Sequence, residues 1–306
     1  MKKALSFLSA TCLLLLIVAQ AAAQTMPPPP GILVIVREDI KPGEMPAHDQ
    51  EAAAYAQLLA KANERITNPD LRSGRIALTP IAGNENEVTY LWGYDSFDDM
   101  EKSNLEIDKM ATDAKLLKAD FDRLTDNKLH ASQRDIIASL RPELSYGWGN
   151  VDVAQARYFV VTMTRIKPGH EAEYWDAFKK HVLTAREKTP LKGTASYAVY
   201  QVRAGMPGGF YISFRPLKSM AELDGASPMT VRNAMTDDGR EKMDKVSSDA
   251  ILTSETTFYR INPRISHVAP AMAARDTSPG FWNPKPLPAA NASANGATRG
   301  RAGRRQ

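Results

Sequence analysis

The groups able to do chemistry are sparse in this sequence. The histidines are His48, His130, His170, His181 and His267, and none stands a helical turn from another as a metal-binding pair would. His170, followed by Glu171 and Glu173, brings three ligands to a helix start. Its plainer reading is a solvated first turn, so no metal site is expected. His181 follows Phe178 by one helical turn and would look toward a sheet. There it would serve as a general base or as a half-buried packing histidine. The run Glu87 to Tyr94 sets Tyr90, Trp92 and Tyr94 on one strand face by its two-residue period. With Tyr158, Tyr200 and the cation Arg203 they are the candidate ligand-binding residues. Together they would make an apolar wall with a few polar groups. Arg157 and Arg215 would add charge for an acidic ligand. The same rings would equally fill a barrel core. No glycine-rich phosphate loop or Gly-x-Ser-x-Gly elbow occurs, so nicotinamide hydride transfer, phosphoryl transfer and elbow-type hydrolysis are unsupported.

The elements that must position these groups are organised around a repeated tetrapeptide, Ile40-Lys41-Pro42-Gly43 and Ile166-Lys167-Pro168-Gly169. Proline presets its own φ and glycine tolerates a positive one, which suits a tight strand-to-helix turn. Before each copy runs a β-branched stretch (Ile32 to Val36, Tyr158 to Arg165). After each runs a helical stretch (Pro46 to Arg65, Glu171 to Lys188). Two further strands follow in each half, at Arg75 to Ile81 and Glu87 to Tyr94, then at Ser196 to Arg203 and Phe210 to Arg215. A second helical region and a last strand close each half, at Asp135 to Leu140 and Ile251 to Ile261. Each half thus reads β-α-β-β-α-β, the ferredoxin-like order.

The ends differ in character from the middle. Lys2 and Lys3, an apolar run and Ala21-Ala22-Ala23 make residues 1–23 a secretory signal peptide. Export to the periplasm or the outside is expected, with no membrane-spanning segment left after cleavage. Cys12 is the sole cysteine and lies in that segment. The mature chain then has no disulfide, thiol nucleophile or cysteine-ligated metal. Residues 24–31 are a proline-rich leader, 32–146 the first unit, 147–155 a linker, 156–268 the second unit and 269–306 a disordered basic tail. The basic ends carry the whole excess of the +4 net charge, so the middle is mildly acidic and no specific nucleic-acid partner is expected.

A strand ending in Ile-Lys-Pro-Gly, then a Glu-rich helix with Tyr174, Trp175 and Phe178, resembles the dimeric α/β-barrel superfamily, which includes NIPSNAP-like proteins and antibiotic-biosynthesis-type monooxygenases. The resemblance implies an α+β fold in which two tandem ferredoxin-like units of one chain pack as a barrel pseudo-dimer. It carries over no catalytic residue, since the superfamily has no single chemistry. Chlorite-dismutase-like relatives use a histidine of the second unit for haem, which makes haem on His181 an alternative to the expected absence of a cofactor. The leading expectation is an exported protein that binds a small, partly apolar ligand, with no catalysis demonstrable from the sequence. The alternatives are a cofactor-independent or haem-dependent monooxygenase-like enzyme and a structural or assembly module; a homo-oligomer fits any of these.

Overall fold

The computed structural model describes residues 26–284 apart from 73, 114, 125–126, 226–227 and 279. The signal segment expected at residues 1–23 and the final part of the basic tail, 285–306, lie outside the described residues. The strands are β1 (Ile32–Ile40), β2 (Ile76–Pro80), β3 (Glu87–Tyr94), β4 (His130–Leu140), β5 (Tyr158–Ile166), β6 (Ala198–Ala204), β7 (Phe210–Leu217) and β8 (Ile251–Ile261). They close into one antiparallel barrel in the order β1-β3-β2-β8-β5-β7-β6-β4. The fold is α+β.

An open sheet edge offers unpaired N–H and C=O groups, and closure removes it. Here β2 pairs with β8, setting Leu78 opposite Ile261, and β4 pairs with β6, setting Leu140 opposite Tyr200. Alternation lets each strand serve two cores. On β1, Leu33 and Ile35 point into the barrel with Phe159, Ile212 and Phe214. Val36 and Ile40 point outward and pack with Ala52 of the first helix and with Tyr90.

Helices cover the outside. They are α1 (Met45–Arg65), α2 (Phe97–Thr112), α3 (Lys118–Leu124), α4 (Glu171–Ala177), α5 (Thr184–Arg186), α6 (Pro228–Ala234), α7 (Asp237–Ala250) and α8 (Pro270–Ala273). Ser96 begins α2 by accepting the Asp99 N–H at 3.1 Å. In both repeated turns the glycine has positive φ, 85° at Gly43 and 87° at Gly169. No helix among the described residues is long and apolar enough to cross a membrane.

Three stretches depart from the sequence expectation. The helix expected over 171–188 is interrupted by a π turn, Phe178–Leu183, between α4 and α5. The second helical region of the second half is two helices, α6 and α7, because the Thr236 hydroxyl accepts the Gly239 N–H at 3.1 Å and caps a new start. The start of the tail, assigned as disordered from 269, packs on the body. Trp282 is buried and donates through Nε1 to the Ala154 carbonyl at 2.6 Å. Arg157 Nη2 donates to both carboxylate oxygens of Asp276 at 2.8 and 2.9 Å, and Arg275 reaches Asp152 at 3.0 Å. The Phe281-Trp282 pair stands out from the tail's polar composition, whereas Arg275 and Asp276 do not. The leader is held similarly: Trp148 Nε1 donates to the Pro27 carbonyl at 2.9 Å and the Tyr200 hydroxyl to that of Pro30 at 3.1 Å.

Candidate functional site

A cavity of about 400 Å³ lies outside the barrel, between the second-half strands and the helix that covers them. Its floor comes from outward-facing residues of paired strands. Arg215 of β7 stands opposite Val160 of β5, Ser213 opposite Thr162, and Tyr211 opposite Thr164. Tyr197 adds to it just before β6, where it bridges Tyr146. The roof is Tyr174 and Trp175 of α4, Phe178 and Val182 of the π turn, and Arg186 of α5. The π turn inserts one residue into the helical ladder, and such insertions recur at functional sites because they re-aim side chains.

The wall is largely aromatic. Trp175 meets Tyr211 at 4.7 Å between ring centres, with Tyr174 at 4.9 Å and Phe178 at 5.3 Å. The Arg186 guanidinium lies 4.4 Å from the Tyr197 ring centre and 5.2 Å from that of Tyr146. Burial pushes the Tyr197 hydroxyl up to about 12, so it stays protonated and can donate. Burial, then the like charge of Arg186, holds Arg215 below its ordinary value against the pull of Glu222.

Four polar atoms of this cavity are buried without a hydrogen-bond partner: Trp175 Nε1, Arg186 Nε, Tyr197 Oη and Arg215 Nε. Buried polar groups are paired in the great majority of cases, so four around one cavity point to a ligand that would pair them. Three are N–H donors and the fourth is a hydroxyl. Neither arginine has an ion-pair partner among the described residues. The arrangement suits an anion carried on an apolar, ring-shaped body.

The residues expected from sequence to form one site are spread over several places. Tyr90 and Trp92 face the helix side of the first half, and Arg75 fills the space beside them. Its guanidinium lies 4.3 Å from the Tyr90 ring centre, 4.6 Å from that of Tyr55 and 6.0 Å from that of Trp92. Tyr200 points into the barrel. Tyr94 and Tyr158 sit half-buried at strand ends, and Arg203 is exposed, donating to Ser139 Oγ at 3.1 Å. Strand period places residues on a face but cannot say which strands share a cavity. His181 does not look at the sheet. Its Nδ1 would lie only 2.9 Å from a Cβ on Gly239, at the start of α7, so the imidazole sits in the space that glycine leaves. His170 lies 3.6 Å from the exposed Glu173 and gathers no further ligand. No histidine lines the cavity, so haem held by His181 does not fit it.

Sequence reasoning missed Trp175, Arg186 and Tyr197 as site residues. Arg186 stands late in a helical stretch, where a cation answers the helix dipole, and only the absence of an acid three or four residues from it along the chain could have signalled otherwise. It also missed the meeting of Glu38, His48 and His130 in the first half.

No family model and no curated protein matches the chain. Solved structures of similar shape exist. One, provisionally described as a monooxygenase, from Lactobacillus acidophilus, is 10% identical over 77% of this chain and 94% of its own, with a TM-score of 0.45. An anthrone oxidase-like protein is 12% identical over 76% of this chain and 91% of its own, with a TM-score of 0.44. A chlorite dismutase mutant from Candidatus Nitrospira defluvii is 8% identical over 77% of this chain and 92% of its own, again at 0.44. The leading expectation, ligand binding with no demonstrable catalysis, is corrected here. The aromatic residues on which that expectation stood form no common site.

Proposed function

We propose that the chain is a cofactor-independent, monooxygenase-like enzyme acting on a small anionic hydroxyarene held beneath the π turn. The single observation that carries this is the aromatic cavity with two arginines that have no ion-pair partner among the described residues and four unpaired buried polar atoms. The cavity contains no carboxylate or imidazole, so the substrate enters as its anion and loses its proton to solvent. Arg186, Arg215 and the Tyr197 hydroxyl lower the substrate's pKa by stabilising that anion, an electrostatic effect strengthened by burial. The electron-rich anion then reduces dioxygen directly. The ring carbon para to the oxygen exchanges its C–H for C=O and the ring becomes a quinone: one oxygen atom of O₂ enters the product, and the other leaves as water with that ring hydrogen and one proton from solvent. Oxygen uptake should appear with electron-rich hydroxyarenes, and Arg186→Gln should cut it by at least about tenfold, as loss of one preorganised donor does. No uptake across such a panel, together with no quenching of tryptophan fluorescence on addition, would remove the proposal.

We also propose that residues 32–146 and 156–268 are tandem copies of one ferredoxin-like unit. The equal strand order of the two halves and the matching bulges at Asp39/Ile40 and Arg165/Ile166 support this. We infer export from the basic, apolar and alanine-rich start. Secreted protein beginning at Gln24 is the expected result of N-terminal sequencing.

A further inference from the structure

We propose that Glu38, His48 and His130 bind a divalent transition-metal ion, such as Zn²⁺, at the mouth of the first half-barrel. This site is separate from the substrate cavity and does not depend on it.

The three residues come from distant parts of the chain. Glu38 faces outward near the end of β1, His48 lies in the first turn of α1, and His130 opens β4. The repeated Lys-Pro-Gly turn sends α1 back over β1 and so brings His48 above Glu38. A β-bulge supplies the third ligand. On β4 the register with β1 shifts between Asp39 and Ile40, so that Ile40 pairs with His130. Bulges re-aim side chains in this way.

The ligand atoms converge. His48 Nε2 lies 3.0 Å from Glu38 Oε2, and His130 Nε2 lies 3.4 Å from the same oxygen. All three donor atoms fall within 4.8 Å of one another. Ligands about 2.0–2.1 Å from a tetrahedral zinc ion stand about 3.3 Å apart. The observed spacing therefore admits an ion after small side-chain adjustments. Two imidazoles and one carboxylate form a donor set typical of zinc and of other borderline divalent metals. The outer positions fit as well. Asp49 Oδ1 stands 3.7 Å from His48 Nδ1, and neither atom has another partner. A carboxylate behind the distal ring nitrogen is the arrangement that orients metal-binding histidines. His130 Nδ1 is likewise buried and unpaired. The Tyr90 hydroxyl, 3.4 Å from His48 Nε2, borders the position left for water or a fourth ligand.

The second half is the internal control. Thr164 holds the place of Glu38 two residues before the end of its strand, and Ile251 holds that of His130 across the same bulge. The chain thus keeps the scaffold twice and the donor set once.

The test uses the full chain, stripped with chelator and titrated with Zn²⁺ by calorimetry and with Co²⁺ by visible absorption. Expected are one zinc per chain, intense ligand-field bands with cobalt, and a higher Tm with zinc. His130→Gln and Glu38→Gln, both at partly exposed positions, should weaken zinc at least about tenfold while circular dichroism stays unchanged. His170→Gln should leave binding as it was. Absence of heat and of cobalt bands would overturn the proposal, leaving Glu38 as a hydrogen-bond acceptor shared by two histidines. Binding undiminished in both His130→Gln and Glu38→Gln would overturn it too, by placing the metal elsewhere.

Discussion

The two halves of the barrel solve the same packing problem with opposite results. In each, a helix crosses the outward face of the sheet and leaves a space beneath it. In the first half Arg75 lies in that space, buried among Tyr55, Tyr90 and Trp92, its terminal nitrogen donating to the Ala52 carbonyl at 2.8 Å. In the second half Tyr197 takes the place of Arg75, as the bridges Arg75–His267 and Tyr146–Tyr197 show, and Arg215 takes that of Trp92. Cations then stand on the wall with no filler in the middle, and a cavity remains. A buried charge without an acid is costly unless something pairs it. Rings and a carbonyl hold it in the first half; we assign that part to a ligand in the second.

The contrast can be broken most forcefully at Arg75. Arg75→Ala empties the first half and should destabilise the chain by about 3 kcal/mol in chemical denaturation, through the void and the uncovered rings. A loss below about 1 kcal/mol would mean the guanidinium is not the filler it resembles. The turns should instead behave alike. At Gly43 and Gly169 nothing would touch an added Cβ, so alanine at either costs only the positive φ, about 1 kcal/mol. Unequal losses would show that the two turns are held differently. In the cavity the sign should reverse. Arg215→Met removes one of two like charges and should stabilise the chain by about 0.5–1 kcal/mol while weakening any anionic ligand. Equal losses of stability and binding would mean that Arg215 is structural.

The finest distinction is pH dependence. Burial, then the charge of Arg75, holds His267 below its ordinary 6.5, and its Nε2 meets Asn63 at 2.9 Å. The unfolded chain then takes up a proton near pH 6.5 before the folded chain does. His267 therefore stabilises the fold above that pH and loses its contribution as pH falls below it. Thermal melts from pH 7 to pH 5 should decline less steeply for His267→Gln than for the parent chain.

Much of the architecture was legible because it is local. Glu87–Tyr94 and Ile251–Ile261 carry their period openly, and the repeated Lys-Pro-Gly turn fixed where strand gives way to helix. The π turn was not legible, because Phe178 to Leu183 has ordinary helical composition. Phe281 and Trp282 stood out from the polar average of the tail as a pair able to dock on the body, and Trp282 is buried there; the anchoring by Arg275 and Asp276 was not legible, because their partners Asp152 and Arg157 lie far away in sequence.

The site depended on distance in sequence. Residue types and period determined most of the strands and helices and the outward face on which Tyr90 and Trp92 stand, since these are set within a few residues by backbone sterics and burial. Only the closed barrel decided that Arg75 would fill one half, that Arg186 and Arg215 would share an empty space in the other, and that His130 would meet Glu38 and His48. Those meetings arise from strand register and helix crossing, which are fixed by contacts between residues far apart along the chain.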